Sequence, residues 1–207
     1  MKYDFIEIGT SDFRTLAHTV NGTGISIEPV KAYFDNLPDR PELTRINAGI
    51  SDDNRLAVFY YCKPEVITAK KLPTWLRGCN SIDIPHPSVV KYCEDNGVDF
   101  NELVDIDEFQ CITLEQLFQE HMVEEVDFLK IDTEGHDYKI MTSLFDILEK
   151  GSLNPDVPFI HKIQYESNAL LNDVQRCELL LRAENIGYTW RTKVERGNED
   201  TILTLTP

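Results

Sequence analysis

Apolar and polar positions along the chain follow two rhythms, and the first is that of a βα protein. Tyr3-Asp-Phe-Ile-Glu-Ile8 is a short apolar-rich run that stops at Gly9 and predicts a strand. Thr10, Ser11 and Asp12 then offer N-cap chemistry for a helix through Val20. Asn21-Gly-Thr-Gly24 is a turn signal, Ile25-Ser-Ile27 a second strand that ends at Glu28-Pro29, and residues 30–36 a second helix. Arg45 to Ala48 predicts a third strand. Strands alternating with helices at this spacing indicate βαβ units and a parallel sheet.

The second rhythm is irregular. Leu56 to Cys62 is β-branched and aromatic and predicts a strand, but no period is sustained from Lys63 to Gln110, which carries Pro64, Pro73, Pro85 and Pro87. This stretch predicts an insertion or lid at about 63–110 within a single domain of residues 1–207, too short and loop-rich to hold a core of its own. The βα rhythm then resumes. Thr113-Leu-Glu-Gln116 fits a capping box for a helix to His121, Val126 to Ile131 a buried strand, and Asp137 to Lys150 a helix stopped by Gly151. Phe159 to Tyr165 reads as a strand and Asp173 to Asn185 as an amphipathic helix closed by Gly187. Tyr188 to Val194 and Thr201 to Thr206 read as a hairpin.

Charge narrows the functions this fold class can serve. The 207 residues hold 36 Asp plus Glu against 20 Lys plus Arg, a formal net charge of -16. Such a chain repels phosphate backbones and anionic lipid, so no nucleic acid and no membrane is expected as partner. The longest purely apolar run, Leu56 to Cys62, is far below the ~18 residues that suggest a spanning helix, and residues 3–8 are too short for a secretory h-region. Five widely spaced cysteines without a C-x-x-C pair predict reduced thiols rather than a disulfide framework or a structural zinc site. A cytoplasmic location is the expectation.

Chemistry concentrates where strands end. Glu7, Gly9 and the Thr10-Ser11-Asp12 turn form a strand, glycine and helix start of the kind that opens a nucleotide site. The turn is not G-x-G-x-x-G, because Ser11 and Phe13 stand where glycines let a pyrophosphate approach. Glu28 ends the second strand about 20 residues later, the place of an acidic side chain that binds ribose hydroxyls. Together they describe a nucleoside pocket without a phosphate cradle. S-adenosylmethionine suits it, since its sulfonium and ammonium charges match surrounding carboxylates. A third strand delivers Asp132 and Glu134 to its C-terminal end, with Gly135 permitting the turn into a helix. Lys130, between buried strand positions, is expected to reach a carboxylate or the strand end, because an unpaired buried lysine is costly.

Leu129-Lys-Ile-Asp-Thr-Glu-Gly135 closely resembles the L-K-I-D-x-E-G signature of FkbM-type methyltransferases, which use S-adenosylmethionine. Glu7-x-Gly9, Ile27-Glu28-Pro29, Ile46-Asn47-Ala48-Gly-Ile-Ser51-Asp52 and the terminal Glu199-Asp-Thr-Ile202 follow the family's order, so that the resemblance spans roughly residues 3–62 and 110–206. It implies an α/β, Rossmann-like methyltransferase fold: a mostly parallel seven-stranded sheet, helices on both faces, and an antiparallel C-terminal hairpin. It places the donor across Glu7, Gly9, Thr10, Ser11 and Asp12, its ribose at Glu28-Pro29, and its adenine beside the loop that holds Asn47, Ser51 and Asp52. The first loop departs from the family's more glycine-rich pattern.

Methyl transfer is an in-line displacement that needs an aligned nucleophile and, for a hydroxyl, something to take its proton. Asp132, Glu134 and His136 are the candidate catalytic residues, the histidine on its intrinsic pKa. Glu166 and Asn168 follow the next strand, and some O-methyltransferases place a divalent ion on similarly located side chains. Asp132, Glu166 and Asn168 are therefore the candidate ligands for Mg2+. His86, flanked by Pro85 and Pro87, reads as loop. The expected acceptor is the hydroxyl of a sugar or small molecule; the alternatives are a non-catalytic nucleoside-binding or regulatory module and a protein or peptide methyltransferase.

Overall fold

The first strand becomes the centre of the sheet. The computed structural model describes residues 1–206 apart from Asp12, Arg14, 152–156, Asn168, Ala169, Arg196 and Gly197. The chain begins with β1 (Lys2–Ile8), α1 (Leu16–Thr19), β2 (Gly24–Ile27), α2 (Lys31–Phe34) and β3 (Leu43–Ile46). β1 pairs in parallel with β2, and β2 with β3. β4 (Gly49–Ser51) and β5 (Leu56–Cys62) leave this sheet; α3 (Pro64–Lys70), β6 (Ser81–Ile82), α4 (Pro87–Asn96), α5 (Phe100–Leu103) and β7 (Val104–Thr113) follow. After α6 (Leu114–Glu120) the chain returns as β8 (Glu125–Ile131) on the other side of β1, Ile8 beside Ile131. It closes with α7 (Asp137–Lys150), β9 (Phe159–Ile160), β10 (Lys162–Glu166), α8 (Asp173–Asn185), β11 (Tyr188–Glu195) and β12 (Asn198–Leu205).

The main sheet runs β11-β12-β10-β8-β1-β2-β3, with the two-residue β9 beside β8. β12 is antiparallel to both β10 and β11. Helices cover both faces. Ile6, Ile8, Leu129 and Ile131 pack with Leu117, Ile140, Leu144 and Leu179, while Phe5 packs with Ala17 and Leu37. Along α7 the buried Ile140, Met141, Leu144 and Phe145 form one helical stripe, each worth about 1.5–3 kcal/mol of burial. Local caps set the helix starts. The Thr113 hydroxyl accepts from Gln116 N at 3.1 Å before α6, and Asn172 and Gln175 form a reciprocal capping box before α8.

Two expectations are corrected. The 63–110 stretch does bury apolar side chains of its own: Ile67, Leu76, Val89, Cys93 and Leu103 cluster beneath Cys62 and Val104. Its end is not loop but β7, which joins a second sheet in the order β4-β7-β5-β6. Asp105 to Glu108 are exposed in that strand, so no apolar alternation marks it. Of the helix expected between the Thr10-Ser11-Asp12 turn and Val20, the described residues form α1 alone, whose first N–H groups are received by a buried carboxylate, as described below. All five cysteines are free. Among the described residues no helix is long and apolar enough to cross a membrane.

Candidate active site

The order of the main sheet reverses at β1, with β2 and β3 on one side and β8 and β10 on the other, and ligands bind at such a switch point. Three strand ends are knitted there by backbone bonds. Gly9 N donates to Ile27 O at 3.0 Å and Asp132 N to Ile8 O at 2.9 Å. Gly9 has φ +80, and a Cβ built on it would stand 1.9 Å from Asp132 O, so only glycine lets the two turns touch.

A cavity of about 200 Å³ opens on this edge. Its floor is Gly9, Thr10, Ser11, Glu28 and Pro29; Ala48, Gly49 and Ile50 form one wall. The second sheet and its insertion add Phe59, Gly78, Asn80 and Ile82, and Lys130, Asp132, Thr133 and Glu134 form the acidic end. Ser11 Oγ donates to Arg77 O at 2.8 Å, tying the floor to the insertion.

Glu28 is 3% exposed and works as a clamp. Its Oε2 accepts from Thr10 N at 3.0 Å, Thr10 Oγ1 at 3.0 Å and Ser11 N at 2.7 Å, and its Oε1 accepts from Val30 N at 2.9 Å. Burial raises its pKa, and the bonds from Val30, Thr10 and Ser11 oppose that rise. Thr10 N and Ser11 N are therefore committed to a carboxylate rather than free to cradle a phosphate.

Glu7 does not line the cavity. It is fully buried, and its two oxygens accept from Leu16 N and Ala17 N at 3.2 Å each, which caps α1 and explains the late start of that helix. Lys130 Nζ lies 3.6 Å from Glu7 and 3.0 Å from Asp132, the carboxylate partnership expected of it. Burial pulls this ammonium down, but Asp132 and Glu7 outweigh it and hold the pKa above its ordinary value.

Carboxyl groups crowd the acidic end. Oxygens of Asp132, Glu134 and Glu166 all lie within 4.8 Å of one another. Asp137, 1% exposed, accepts from Thr133 Oγ1 at 3.0 Å and Gly135 N at 3.3 Å; burial, then Asp132, pushes its pKa up to about 6. Burial also raises Glu134, reinforced by Asp132 and Asp137, and raises Glu166, reinforced by Glu134. Glu166 lies behind the cavity wall, and its buried Oε2 has no hydrogen-bond partner among the described residues. Each of these carboxyls thus disfavours ionisation of its neighbours.

Several expected site residues sit elsewhere. Asn47 is spent on Glu28 O and Pro29 O, at 2.8 and 2.9 Å. Ser51 is buried, donates to Asp52 Oδ1 at 2.9 Å and meets His136 Nε2 at 3.0 Å. Neither Ser51, Asp52 nor His136 lines the cavity, so the histidine is not brought to the place where it was expected to act as a base. Burial, then Lys139, lowers its pKa to about 4, leaving a neutral ring that ties α7 to β4. Asp12 and Asn168 lie outside the described residues. Sequence reasoning missed Phe13 and the insertion's Gly78 and Asn80, and read His86 as loop. Lys130 was legible as a single cation within a buried strand that ends in carboxylates.

A parallel sheet with its switch point at β1, an acidic clamp at the end of β2 and an antiparallel last strand defines a methyltransferase-type α/β domain. The sequence profile of the methyltransferase FkbM domain matches residues 7–188, and the chain belongs to that family. Two solved structures are similar in outline. "METTL16 MTase domain (crystal form 2)" has a TM-score of 0.44 at 12% identity, covering 100% of this chain and 60% of that one. "Human methyltransferase 10 domain containing protein" has a TM-score of 0.37 at 12% identity, covering 98% and 70%. This chain thus spans 60% of the length of the first. No curated protein matches it.

Proposed function

We propose that this cavity binds S-adenosylmethionine and that the chain transfers a methyl group to the hydroxyl of a sugar or other small molecule. The observation that carries the reading is the committed turn: Thr10 N and Ser11 N donate to Glu28, which suits a nucleoside without phosphates and disfavours a dinucleotide. The apolar Ile27, Pro29, Ile50 and Phe59 offer surface to an adenine, and Glu28 Oε1, with one described donor, keeps capacity for a ribose hydroxyl. Asp132 and Glu134 set negative charge at the other end, complementary to a cationic donor. When bound, the donor supplies an electrophilic methyl carbon. Asp132 and Glu134 orient the acceptor, and one of them takes its proton. Mg2+ forms no part of this reading, because Lys130 already supplies a cation to Asp132 at 3.0 Å.

Calorimetric titration with S-adenosylmethionine and S-adenosylhomocysteine tests the pocket; absence of heat for both, with the protein folded, overturns it. Binding without turnover across glycan and small-molecule acceptors supports instead a non-catalytic module. Turnover on a peptide alone moves the acceptor to a protein.

A further inference from the structure

The insertion reaches the acidic end through one side chain. His86 is the N-cap of α4, and its Nδ1 accepts from Ser88 N at 3.2 Å. An accepting Nδ1 carries no proton, so in the neutral ring the proton sits on Nε2. The ring is 5% exposed, and burial lowers its pKa, which keeps it neutral. Nε2 lies 3.2 Å from Glu134 Oε2, off the straight line of a strong hydrogen bond, and has no hydrogen-bond partner among the described residues.

Cys79 joins His86 and Glu134 with ligand atoms all within 4.8 Å, a set that resembles a transition-metal site. The tautomer excludes it: a metal needs the Nε2 lone pair, with Nδ1–H donating to its own partner, and here Nδ1 accepts. A donor facing a carboxylate is what remains. Glu134 is itself held in the left-handed region at φ 53. Its other oxygen, Oε1, lies beneath Gly78, where a Cβ would come within 3.5 Å of it and 3.1 Å of the Phe13 ring. Gly78 and Phe13 both line the cavity. Oε2 thus meets His86, and Oε1 adjoins Gly78 at the cavity lining.

We propose that His86 is the positioning residue for Glu134, holding Oε2 through Nε2–H so that Oε1 takes the acceptor's proton. The proposal rests on the methyltransferase reading. In the step it serves, the acceptor O–H bond breaks and its proton passes to Glu134 Oε1. The electron pair forms the O–CH3 bond while the S–CH3 bond breaks, and sulfur keeps that pair as a neutral thioether. The insertion is then part of the catalytic apparatus. The groups around Glu134 are Asp132, Asp137 and Glu166, which oppose its ionisation, Lys130, which favours it, and the Cys79 thiol. His86 adds the N–H donor from the insertion.

NMR on the full chain tests this, with carboxyl-labelled glutamate and the Glu134 signal assigned through Glu134→Gln. His86→Ala should raise the proton affinity of Glu134 about tenfold, and His86→Gln, whose amide N–H can donate, should recover at least part of that change. In wild type, 15N-histidine spectra should show the His86 proton on Nε2. Affinity for S-adenosylhomocysteine should stay within about threefold in both variants, because His86 does not line the cavity. An unchanged Glu134 titration in His86→Ala, no recovery in His86→Gln, or a proton on Nδ1 overturns the proposal. Should the alanine variant not fold, the wild-type tautomer and the glutamine variant decide it. Failure of wild type to bind S-adenosylhomocysteine overturns the donor pocket alone and leaves these measurements readable.

Discussion

Glu28→Gln separates a clamp from a mere ribose ligand. The carboxylate receives four hydrogen bonds at 2.7 to 3.0 Å, all from donors. An amide cannot replace it in either orientation. With its nitrogen at the Oε1 position, the amide faces Val30 N; at the Oε2 position it faces Thr10 N and Ser11 N. The first choice is the cheaper and leaves one buried backbone donor opposite another donor, a cost of about 1–3 kcal/mol. Removing a buried charge offsets part of this, so the lower half of the range is expected. For a chain of this size that is about 2–8 °C in melting temperature. Thermal unfolding gives the first measurement and amide hydrogen exchange the second. Exchange at Thr10 and Ser11 should quicken while the core of β8 keeps its protection. A melting shift below about 1 °C with unchanged exchange at both amides would refute the clamp.

Gly9→Ala should be more damaging, at least about 3 kcal/mol, because a Cβ 1.9 Å from Asp132 O must push β1 and β8 apart; urea unfolding checks it. Glu134 and Glu166 have raised pKa values, so the folded chain binds more protons than the unfolded chain above about pH 4.5. Their contribution is complete below the unfolded value and is lost as pH rises through the folded ones, at about 1.4 kcal/mol per pH unit for each extra proton held. Melting temperature should therefore fall from pH 5 toward alkaline pH, and Glu166→Gln should flatten the slope in a buffer series. Asp132→Asn removes the negative charge 3.0 Å from Lys130 and should lower methyl transfer by about 10²-fold or more. Equal turnover with wild type would remove Asp132 from the chemistry.

Much of the fold is legible because its causes are local. α7 and α8 fall at the expected Asp137–Lys150 and Asp173–Asn185, and β5 at Leu56–Cys62, since each carries its own stop signal, cap or apolar stripe. The parallel sheet follows from the spacing of strands and helices, and Gly9, Glu28, Asp132 and Glu134 reach one edge because strands of a parallel sheet end on the same side. β7 was hidden because its middle faces water. The length of α1 was hidden because its cap, Glu7, comes from a neighbouring strand rather than the preceding turn.

The sequence by itself determined most strands of the main sheet and which acidic residues fall at their ends, since periodicity and turn chemistry act over a few residues. Tertiary structure alone decided what each carboxylate does. Glu7 caps a helix, Glu28 clamps a turn, Asp132 holds Lys130, and Glu134 meets a histidine from 48 residues earlier in the chain. The charge of a buried carboxyl is set by the donors and charges packed around it, and no local pattern carries that information.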